Sequence, residues 1–276
     1  MKSGKSRAAG VFVSVAFAAG CTHAAPPPKA AAVVKETWPG YLAGYLPKAA
    51  VPDSLSLLPP PPAPGSAALA ADEEANRKAL ALRGTPRFAL ATEDADLLFP
   101  HAAGTFSCSL GAPVTQADTP HLYLLLRRVL GDALASTRRA KSQYERRRPF
   151  LVNGAPTCTP AEEAELGAQG SYPSGHGASG WAWALVLVEV APDREDAILA
   201  RGRAFGQSRV VCNVHWLSDV GEGRIMGAAT VARLHADPAF RADLEAARQE
   251  LAGVRAKGLK PVRDCKAETD ALAASP

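Results

Sequence analysis

The 276-residue sequence has no strong excess of charge of either sign and few aromatic residues. Its 31 lysines and arginines against 27 acidic residues leave a formal net charge of +4, and aromatic residues make up 6% of the chain. So small a net charge does not favour bulk binding to nucleic acid, and any affinity for anions must come from a local cluster of cations. The rest of the composition, 47% hydrophobic and 21% charged, is that of an ordinary globular protein.

Hydrophobic runs long enough to span a bilayer are also missing, which argues against a membrane-spanning helix. The first apolar run, Val11–Ala19, is short and follows three basic residues, a pattern typical of an export signal over residues 1–20. The residues before Cys21 resemble a bacterial lipoprotein signal, in which this cysteine becomes the lipidated first residue. Ordinary cleavage after Ala24 is the alternative. We therefore expect a periplasmic protein and, on the lipoprotein interpretation, a membrane anchor at Cys21.

Strand-like alternation is scarce, and helical periodicity dominates the chain from about residue 66. Residues 21–65 are expected to form a tether and an extended arm, because the four successive prolines Pro59–Pro62 cannot enter a helix or a central strand. Residues 66–256 are expected to form one all-α domain, followed by a C-terminal tail over residues 257–276. The helical patterns cover Ala67–Leu82, Asp94–Leu98, Pro120–Arg139, Ser179–Val190, Arg194–Phe205 and Asp219–His235.

The cysteines lack the close spacing of a zinc motif. Four remain once the signal is removed, an even number in an oxidising compartment: Cys108, Cys158, Cys212 and Cys265. They are compatible with two disulfides in any of three connectivities, and equally with buried free thiols.

The most informative cluster is a run of six cations and one carboxylate over Arg138–Pro149. Lys141 and Arg148 are seven residues apart, which predicts that they share one helix face with Tyr144 between them. Pro149 disfavours helix at the residue before it. The spacing therefore predicts that the two cations converge on one site. The alternative is an ordinary solvent-exposed helix face, which is what most runs of this kind form.

A second element begins a buried helix. Ser174 and Gly175 precede His176 at its start, where free backbone N–H groups and the helix dipole favour an anion. Ordinary helix capping also explains such a start.

A third element places Asp219 four residues after His215, with Ser208-Arg209 shortly before them. An aspartate at this spacing can hold Nδ1 of the imidazole and leave Nε2 free as a nucleophile or base. The alternative is that Asp219 caps the next helix in a box with Glu222.

A divalent metal and a serine nucleophile both fit these residues poorly. His176, His215 and Asp219 are suitable ligands, but the neighbouring cations would repel a metal and match the oxygens of a tetrahedral oxyanion. No Gly-x-Ser-x-Gly elbow surrounds Ser174. The residues therefore favour phosphoryl transfer with no metal and no other cofactor.

Together the three elements resemble the signature of the type 2 phosphatidic acid phosphatase superfamily. The spacing is kept in all three parts, which are Lys141-x6-Arg148-Pro149, Pro173-Ser174-Gly175-His176 and Ser208-Arg209-x5-His215-x3-Asp219. The surrounding sequence, from about Leu57 to Arg248, is similar to the bacterial class A non-specific acid phosphatases. Gly177 replaces that family's usual threonine and Asn213-Val214 its usual Gly-Tyr, changes that we expect to affect pocket lining and turn flexibility.

The resemblance implies an all-α, periplasmic and metal-independent acid phosphatase with a phosphohistidine intermediate. On this basis His215 attacks phosphorus, Asp219 orients its ring, and His176 protonates the leaving group and then activates water. The implied phosphate-binding residues are Lys141, Arg148, Ser174, Gly175 and Arg209. Because one imidazole must be neutral and the other charged, we expect a bell-shaped rate profile over about pH 5 to 7.

The expected substrates are small phosphate monoesters, nucleotides among them, and no nucleic-acid partner is expected. A homo-oligomer is left open. Tyr144 and Trp216 would line the substrate pocket or serve only in packing. A disulfide between Cys158 and Cys212, which lie near motif loops, would brace the site. The alternatives on the same residues are a phosphotransferase, a vanadate-dependent haloperoxidase and a non-catalytic phosphate-binding lipoprotein.

Overall fold

The computed structural model describes residue 1 and residues 33–273, and it confirms the predicted all-α class. The predicted signal and Cys21 lie outside the described residues. A short antiparallel hairpin, β1 (Glu36–Trp38) and β2 (Tyr41–Leu42), comes first. The helices are α1 (Ser54–Leu57), α2 (Ala67–Leu80), α3 (Pro86–Glu93), α4 (Ser107–Leu110), α5 (Pro120–Tyr144), α6 (Pro149–Asn153), α7 (Glu163–Gly167), α8 (Gly175–Val190), α9 (Glu195–Val211), α10 (Leu217–Leu234), α11 (Pro238–Ala256) and α12 (Cys265–Ala273). Within these residues no helix has the length and apolar character needed to cross a membrane.

The central helix is α8, which is apolar on nearly all sides and was predicted to be buried. Its residues Trp183, Val186 and Leu187 are fully buried, and α5, α9, α10 and α11 pack around it. The indole N–H of Trp183 donates to the carbonyl oxygen of Leu126 in α5 at 2.9 Å, so the polar atom of this ring is satisfied as well. This contact fixes the middle of α8 against α5 in the core.

The N-terminal arm is fixed to the helices through α5. The carboxylate of Asp132 accepts hydrogen bonds from the backbone N–H groups of Tyr45 at 2.7 Å and Leu46 at 3.1 Å. Burial raises the pKa of Asp132 to about 6, while the two backbone hydrogen bonds oppose the rise. The proline-rich segment forms neither helix nor strand, as predicted, and the carbonyl oxygen of Pro59 accepts a hydrogen bond from the phenol of Tyr172 at 2.6 Å.

Several predicted helix bounds are wrong. No helix forms over residues 94–98, because α3 ends at Glu93 and Asp94 points its carboxylate at Arg201 instead. Helix α5 continues past Arg139 to its end at Tyr144. Helix α9 continues past Phe205 to Val211, and α11 was not among the predicted patterns.

The predicted C-terminal tail contains a helix, α12. A disulfide joins its first residue, Cys265, to Cys108 in α4. Glu268 in the same helix is paired with the buried guanidinium of Arg201 at 3.4 Å. These links hold α12 in place. The segment is too short and polar for its hydrophobic periodicity to predict a helix.

Glycines allow α8 and α10 to approach closely. A β-carbon added at Gly223 would overlap the carbonyl oxygen of Ser174, and one added at Gly227 would overlap that of Ala178. At the same place the backbone N–H of Ser174 donates to the carbonyl oxygen of Asp219 at 2.9 Å. The starts of the two helices that carry the second and third motifs are therefore held together.

We expect Gly223→Ala to lower the free energy of unfolding by about 1–3 kcal/mol, because the added methyl group forces α8 and α10 apart. The control is Gly221→Ala in the same helix, where a β-carbon meets no atom within 4 Å. That variant should be neutral or stabilising by up to about 1 kcal/mol. Urea unfolding monitored by circular dichroism measures both, and equal stabilities would contradict close packing at Gly223.

Candidate active site

The turn between α9 and α10 carries the third motif. After α9 ends at Val211, Asn213 adopts a left-handed φ of 62°, and asparagine tolerates this conformation better than most residues with a side chain. Asparagine can therefore replace the glycine that is usual at this position in the family that the sequence resembles. The backbone N–H groups of Val214 and His215 both donate to the carbonyl oxygen of Arg209, at 3.1 and 3.2 Å, which sets Arg209 beside His215.

A cluster of three asparagines holds this turn in place. Asn76 of α2 and Asn153 of α6 donate to Oδ1 of Asn213 at 2.8 and 2.9 Å. The predicted disulfide between Cys158 and Cys212 is present beside the cluster. The turn is thus fixed both by its own side chain and by a covalent link to the loop after α6.

The histidine of this motif has one ring nitrogen held and the other presented to a cation. Nδ1 of His215 lies 3.3 Å from Oδ2 of Asp219, and Nε2 lies 3.2 Å from Nη1 of Arg148. A guanidinium can only donate, so Nε2 accepts and the ring proton lies on Nδ1, facing the carboxylate. In this tautomer Nε2 carries a lone pair into the site.

Asp219 also caps α10. The sequence left open whether this residue orients the imidazole or caps the helix, and in the structure it does both. Its Oδ2 accepts the backbone N–H of Trp216 at 2.9 Å. The predicted cap is wrong in detail, because the N-cap is Trp216 and Asp219 occupies the third helical position that Glu222 was expected to fill. One carboxylate therefore fixes both the helix start and the imidazole.

The two cations of the first motif converge, but not by sharing a helix face as predicted. Helix α5 ends at Tyr144, Glu145 takes a left-handed φ of 42°, and Arg148 lies beyond the helix. Lys141 Nζ donates to the carbonyl oxygen of Gly170 at 2.9 Å, and Arg148 Nη2 approaches the same oxygen at 3.4 Å. A reversal of the chain therefore brings them together.

Two buried cations, Arg148 and Arg209, and the half-buried Lys141 lie around His215. Burial and the nearby Arg148 lower the pKa of Lys141 to about 7, burial lowers the pKa of Arg148 to about 10, and burial with Arg148 lowers the pKa of Arg209 to about 10. Arg209 is 1% exposed, and its Nε and Nη1 have no hydrogen-bond partner within the described part of the chain. Buried donors without partners are rare, so these atoms indicate a site for an anion.

The second motif lies beside the same cations, with His176 near Arg209, Arg148 and His215. Nε2 of His176 lies 2.9 Å from the carbonyl oxygen of Ala95, so the neutral ring carries its proton on Nε2 and keeps the lone pair on Nδ1. Burial and the cation Arg209 hold the pKa of His176 well below its ordinary value, and burial and Arg148 do the same for His215. Their surroundings therefore favour the neutral form of both rings.

Ser174 is the N-cap of α8, with its Oγ accepting the N–H of Gly177 at 3.1 Å, which leaves the hydroxyl proton to donate elsewhere. Gly175 follows as the first helical residue. A β-carbon at Gly177 would meet the carbonyl oxygen of Val220 in α10 at 3.0 Å. The expectation that this departure from the family alters the pocket lining is therefore wrong, because the position faces the α8–α10 contact.

The two aromatic candidates both make contacts within the fold, and their role in lining a substrate site stays a prediction. Trp216 is buried, and its indole N–H donates to the carbonyl oxygen of Arg147 at 2.8 Å. Tyr144 is half-buried, with its ring edge-on to that of Tyr172 at a centroid distance of 5.8 Å.

Sequence reasoning missed two charged residues behind Asp219. Arg146 donates to Oδ1 of Asp219 at 2.7 Å and to Oδ2 of Asp72 in α2 at 2.8 Å. In the sequence Arg146 is one of six cations in the run Arg138–Pro149, and nothing in that run distinguishes it from its neighbours. No local pattern marks Asp72, because its role depends on tertiary contact.

Comparison with known proteins agrees with this geometry. A model of the PAP2 superfamily matches residues 121–242. A non-specific acid phosphatase of Providencia stuartii is 42% identical over 246 residues, covering 89% of this chain and 97% of its own. An acid phosphatase of Zymomonas mobilis is 43% identical over 209 residues, which cover 76% of this chain and 79% of the relative. A non-specific acid phosphatase of Salmonella typhimurium is 44% identical over 195 residues, which cover 70% of this chain and 78% of the relative. The chain belongs to the PAP2 superfamily. As its relatives indicate, it is a phosphatase.

The PAP2 match contains all the predicted site residues, which are Lys141, Tyr144, Arg148, Ser174, Gly175, His176, Arg209, His215, Trp216 and Asp219. Three residues that support them lie before the matched range. Asp72 and Asn76 come from α2, and Ala95 follows α3. The N-terminal helices of this PAP2 protein therefore complete the surroundings of the site.

We expect Arg209→Met to remove binding of inorganic phosphate without loss of stability, because it removes a buried cation that has donors without partners. The control is Arg201→Met in the same helix, whose guanidinium is equally buried but paired with Asp94 at 2.5 Å. That variant leaves a buried carboxylate uncompensated and should lose about 3–5 kcal/mol.

Thermal unfolding with and without inorganic phosphate measures both effects, since a ligand that binds only the folded state raises the melting temperature. Phosphate should raise the melting temperature of the wild type and leave that of Arg209→Met unchanged. An equal rise in Arg209→Met would show that Arg209 does not contact the anion.

Proposed function

We propose that the chain hydrolyses small phosphate monoesters, nucleotides among the candidates, through a phosphohistidine on His215 and without a metal. The observation that carries the proposal is the pair of contacts that the two ring nitrogens of His215 make. Asp219 holds Nδ1, and Arg148 faces the lone pair of Nε2. A neutral imidazole with its lone pair directed among buried cations is a nucleophile at the place where a phosphate would bind.

In the first step Nε2 of His215 forms a bond to phosphorus while the ester P–O bond breaks. Charge that builds on the equatorial oxygens is met by donors that the fold already places around His215, which lowers the barrier because it limits reorganisation to an exchange of hydrogen-bond partners. These donors are the side chains of Lys141, Arg148, Arg209 and Ser174 and the backbone N–H of Gly175. The carboxylate of Asp219 stabilises the positive charge that develops on the ring.

His176 is proposed to carry the proton. Its Nδ1 gives a proton to the leaving alkoxide, then takes one from the water that attacks the phosphohistidine, so the ring ends each cycle in its starting state. Burial and the surrounding cations lower the pKa of His176. A bound phosphate dianion offsets those cations, so the substrate itself favours protonation of this histidine.

The buried cations also support the metal-independent form of the proposal, because they supply the charge stabilisation that a divalent ion would otherwise provide. A periplasmic location is supported by two disulfides, Cys108–Cys265 and Cys158–Cys212, which persist in oxidising compartments. Lipidation of Cys21 stays a prediction from the sequence.

We expect the protein to hydrolyse p-nitrophenyl phosphate and an alkyl phosphate in the presence of EDTA. His176→Gln should reduce kcat/KM for the alkyl phosphate by about 10²- to 10⁴-fold, because an alkoxide must be protonated as it leaves. The loss of kcat/KM on p-nitrophenyl phosphate should be much smaller, because nitrophenolate is a stable leaving group. The comparison uses kcat/KM because this parameter reports formation of the phosphohistidine and not its hydrolysis, which is common to both substrates.

The control is His235→Gln, which changes a half-exposed histidine paired with Glu189 and should leave both rates unchanged. Loss of activity with EDTA that added metal restores would contradict the metal-independent mechanism. Equal losses on the two substrates in His176→Gln would remove the role of His176 as general acid.

A further inference from the structure

Asp219 is buried, which makes its ionised form costly. Burial raises the pKa of Asp219, and Arg146 opposes the rise. The contact is a close one, with Nη1 of Arg146 2.7 Å from Oδ1 of Asp219. Since Oδ2 is used by His215 and the backbone of Trp216, Oδ1 is the oxygen through which a cation can stabilise the carboxylate.

Arg146 is itself almost buried, and Asp72 holds its far side. The side chain of Arg146 is 9% exposed and that of Asp72 is 2% exposed. Nη2 of Arg146 donates to Oδ2 of Asp72 at 2.8 Å. Asp72 is fixed in turn by Ser218, whose backbone N–H and hydroxyl donate to it at 2.7 and 2.6 Å.

Two further neighbours restrain the guanidinium of Arg146: Ser218 in α10 and Trp216, the N-cap of that helix. Nη1 donates to the hydroxyl of Ser218 at 2.8 Å, and the guanidinium carbon lies 5.4 Å from the ring of Trp216. A planar fork that meets two carboxylates and stacks on an aromatic ring is a geometry that arginine provides and lysine does not.

We propose that Arg146, anchored by Asp72, is a positioning residue that holds the Asp219 carboxylate against Nδ1 of His215. The side chains are connected in the order Asp72, Arg146, Asp219, with negative and positive charges alternating, and the last carboxylate contacts the imidazole of His215. The inference rests on the proposed role of His215 as nucleophile. Arg146 and Asp72 act through Asp219, whereas phosphate is held by the separate cations Lys141, Arg148 and Arg209.

The charged and titratable groups facing Asp219 determine how a change at Arg146 would appear in a pH profile. They are Arg146 and Arg148 from the segment after α5, Lys141 from α5, Tyr172 from the loop before α8, and His215. Removing the cation Arg146 makes proton binding easier at both Asp219 and His215. Activity should therefore be lost at a higher pH as the solution is acidified, whichever of the two groups takes the proton.

We expect Arg146→Met to lower kcat about 10- to 100-fold and to move the acid limb of kcat/KM to higher pH. Arg146→Lys keeps the charge, so it should lower kcat and leave the acid limb nearly in place. Asp72→Asn removes the anchor but not the cation, and should also lower kcat without an upward shift of the limb. Adding Asp72→Asn to Arg146→Met should cause no further loss of kcat, because Asp72 acts through Arg146.

Two controls separate positioning from general damage. Arg147→Met changes the exposed neighbour of Arg146, whose guanidinium bonds the carbonyl oxygen of Leu151, and should leave kcat and the pH profile unchanged. The rise in melting temperature caused by inorganic phosphate should persist in every folded variant, since the phosphate-binding cations are intact. If Arg146→Met does not fold, Arg146→Lys and Asp72→Asn still test the kcat effect.

Wild-type kcat in the folded Arg146 variants, or an unmoved acid limb in Arg146→Met, would overturn the inference. His215→Ala is assayed beside them to test the premise. Inactive His215→Ala with unchanged Arg146 variants would overturn the positioning role alone, whereas active His215→Ala would overturn the proposed nucleophile and the positioning role together.

Discussion

The contacts of Asp219 join the parts of this site. Its Oδ2 holds the ring of His215 and caps α10, its Oδ1 meets Arg146, and its backbone carbonyl accepts the N–H of Ser174. Two helix starts and one imidazole are thereby located relative to a single buried residue. The glycines of α10 make this possible, because α8 could not approach so closely if they carried side chains.

The proposed site places cations where they are costly for folding. Arg201 and Arg209 lie in the same helix and are both buried, but among the described residues only Arg201 has a carboxylate partner, Asp94. Arg209 retains donors that have no partner in the described part of the chain. The asparagine cluster at Asn213, the disulfides and the packed core around α8 hold the surrounding structure in place, which is the preorganisation that the proposed mechanism requires.

Much of the site could be predicted from the sequence because its residues recur at fixed spacings. The pairing of His215 with Asp219 was predicted from their four-residue spacing, although His215 precedes the N-cap of α10 and only Asp219 lies in the helix. The buried α8 follows from its apolar composition. The approach of Lys141 to Arg148 was predicted for the wrong reason, since it depends on the left-handed residue Glu145, which no periodicity indicates.

Arg146 and Asp72 show why the rest could not be predicted. Their roles depend on α2 packing beside the start of α10, a contact between distant segments. The same holds for α12, which is fixed by Cys265 and Glu268 rather than by its own hydrophobic face.

The most direct test of His215 as the nucleophile is rapid acid or base quenching of the enzyme during turnover, followed by peptide mass spectrometry. Phosphohistidine is stable in base and labile in acid, so a phosphate on His215 should be recovered from the base-quenched sample and lost from the acid-quenched one. His176→Gln should retain the label, because it keeps the nucleophile and slows hydrolysis of the intermediate. Label on another residue, or none during turnover with a measurable burst of product, would contradict a phosphohistidine on His215.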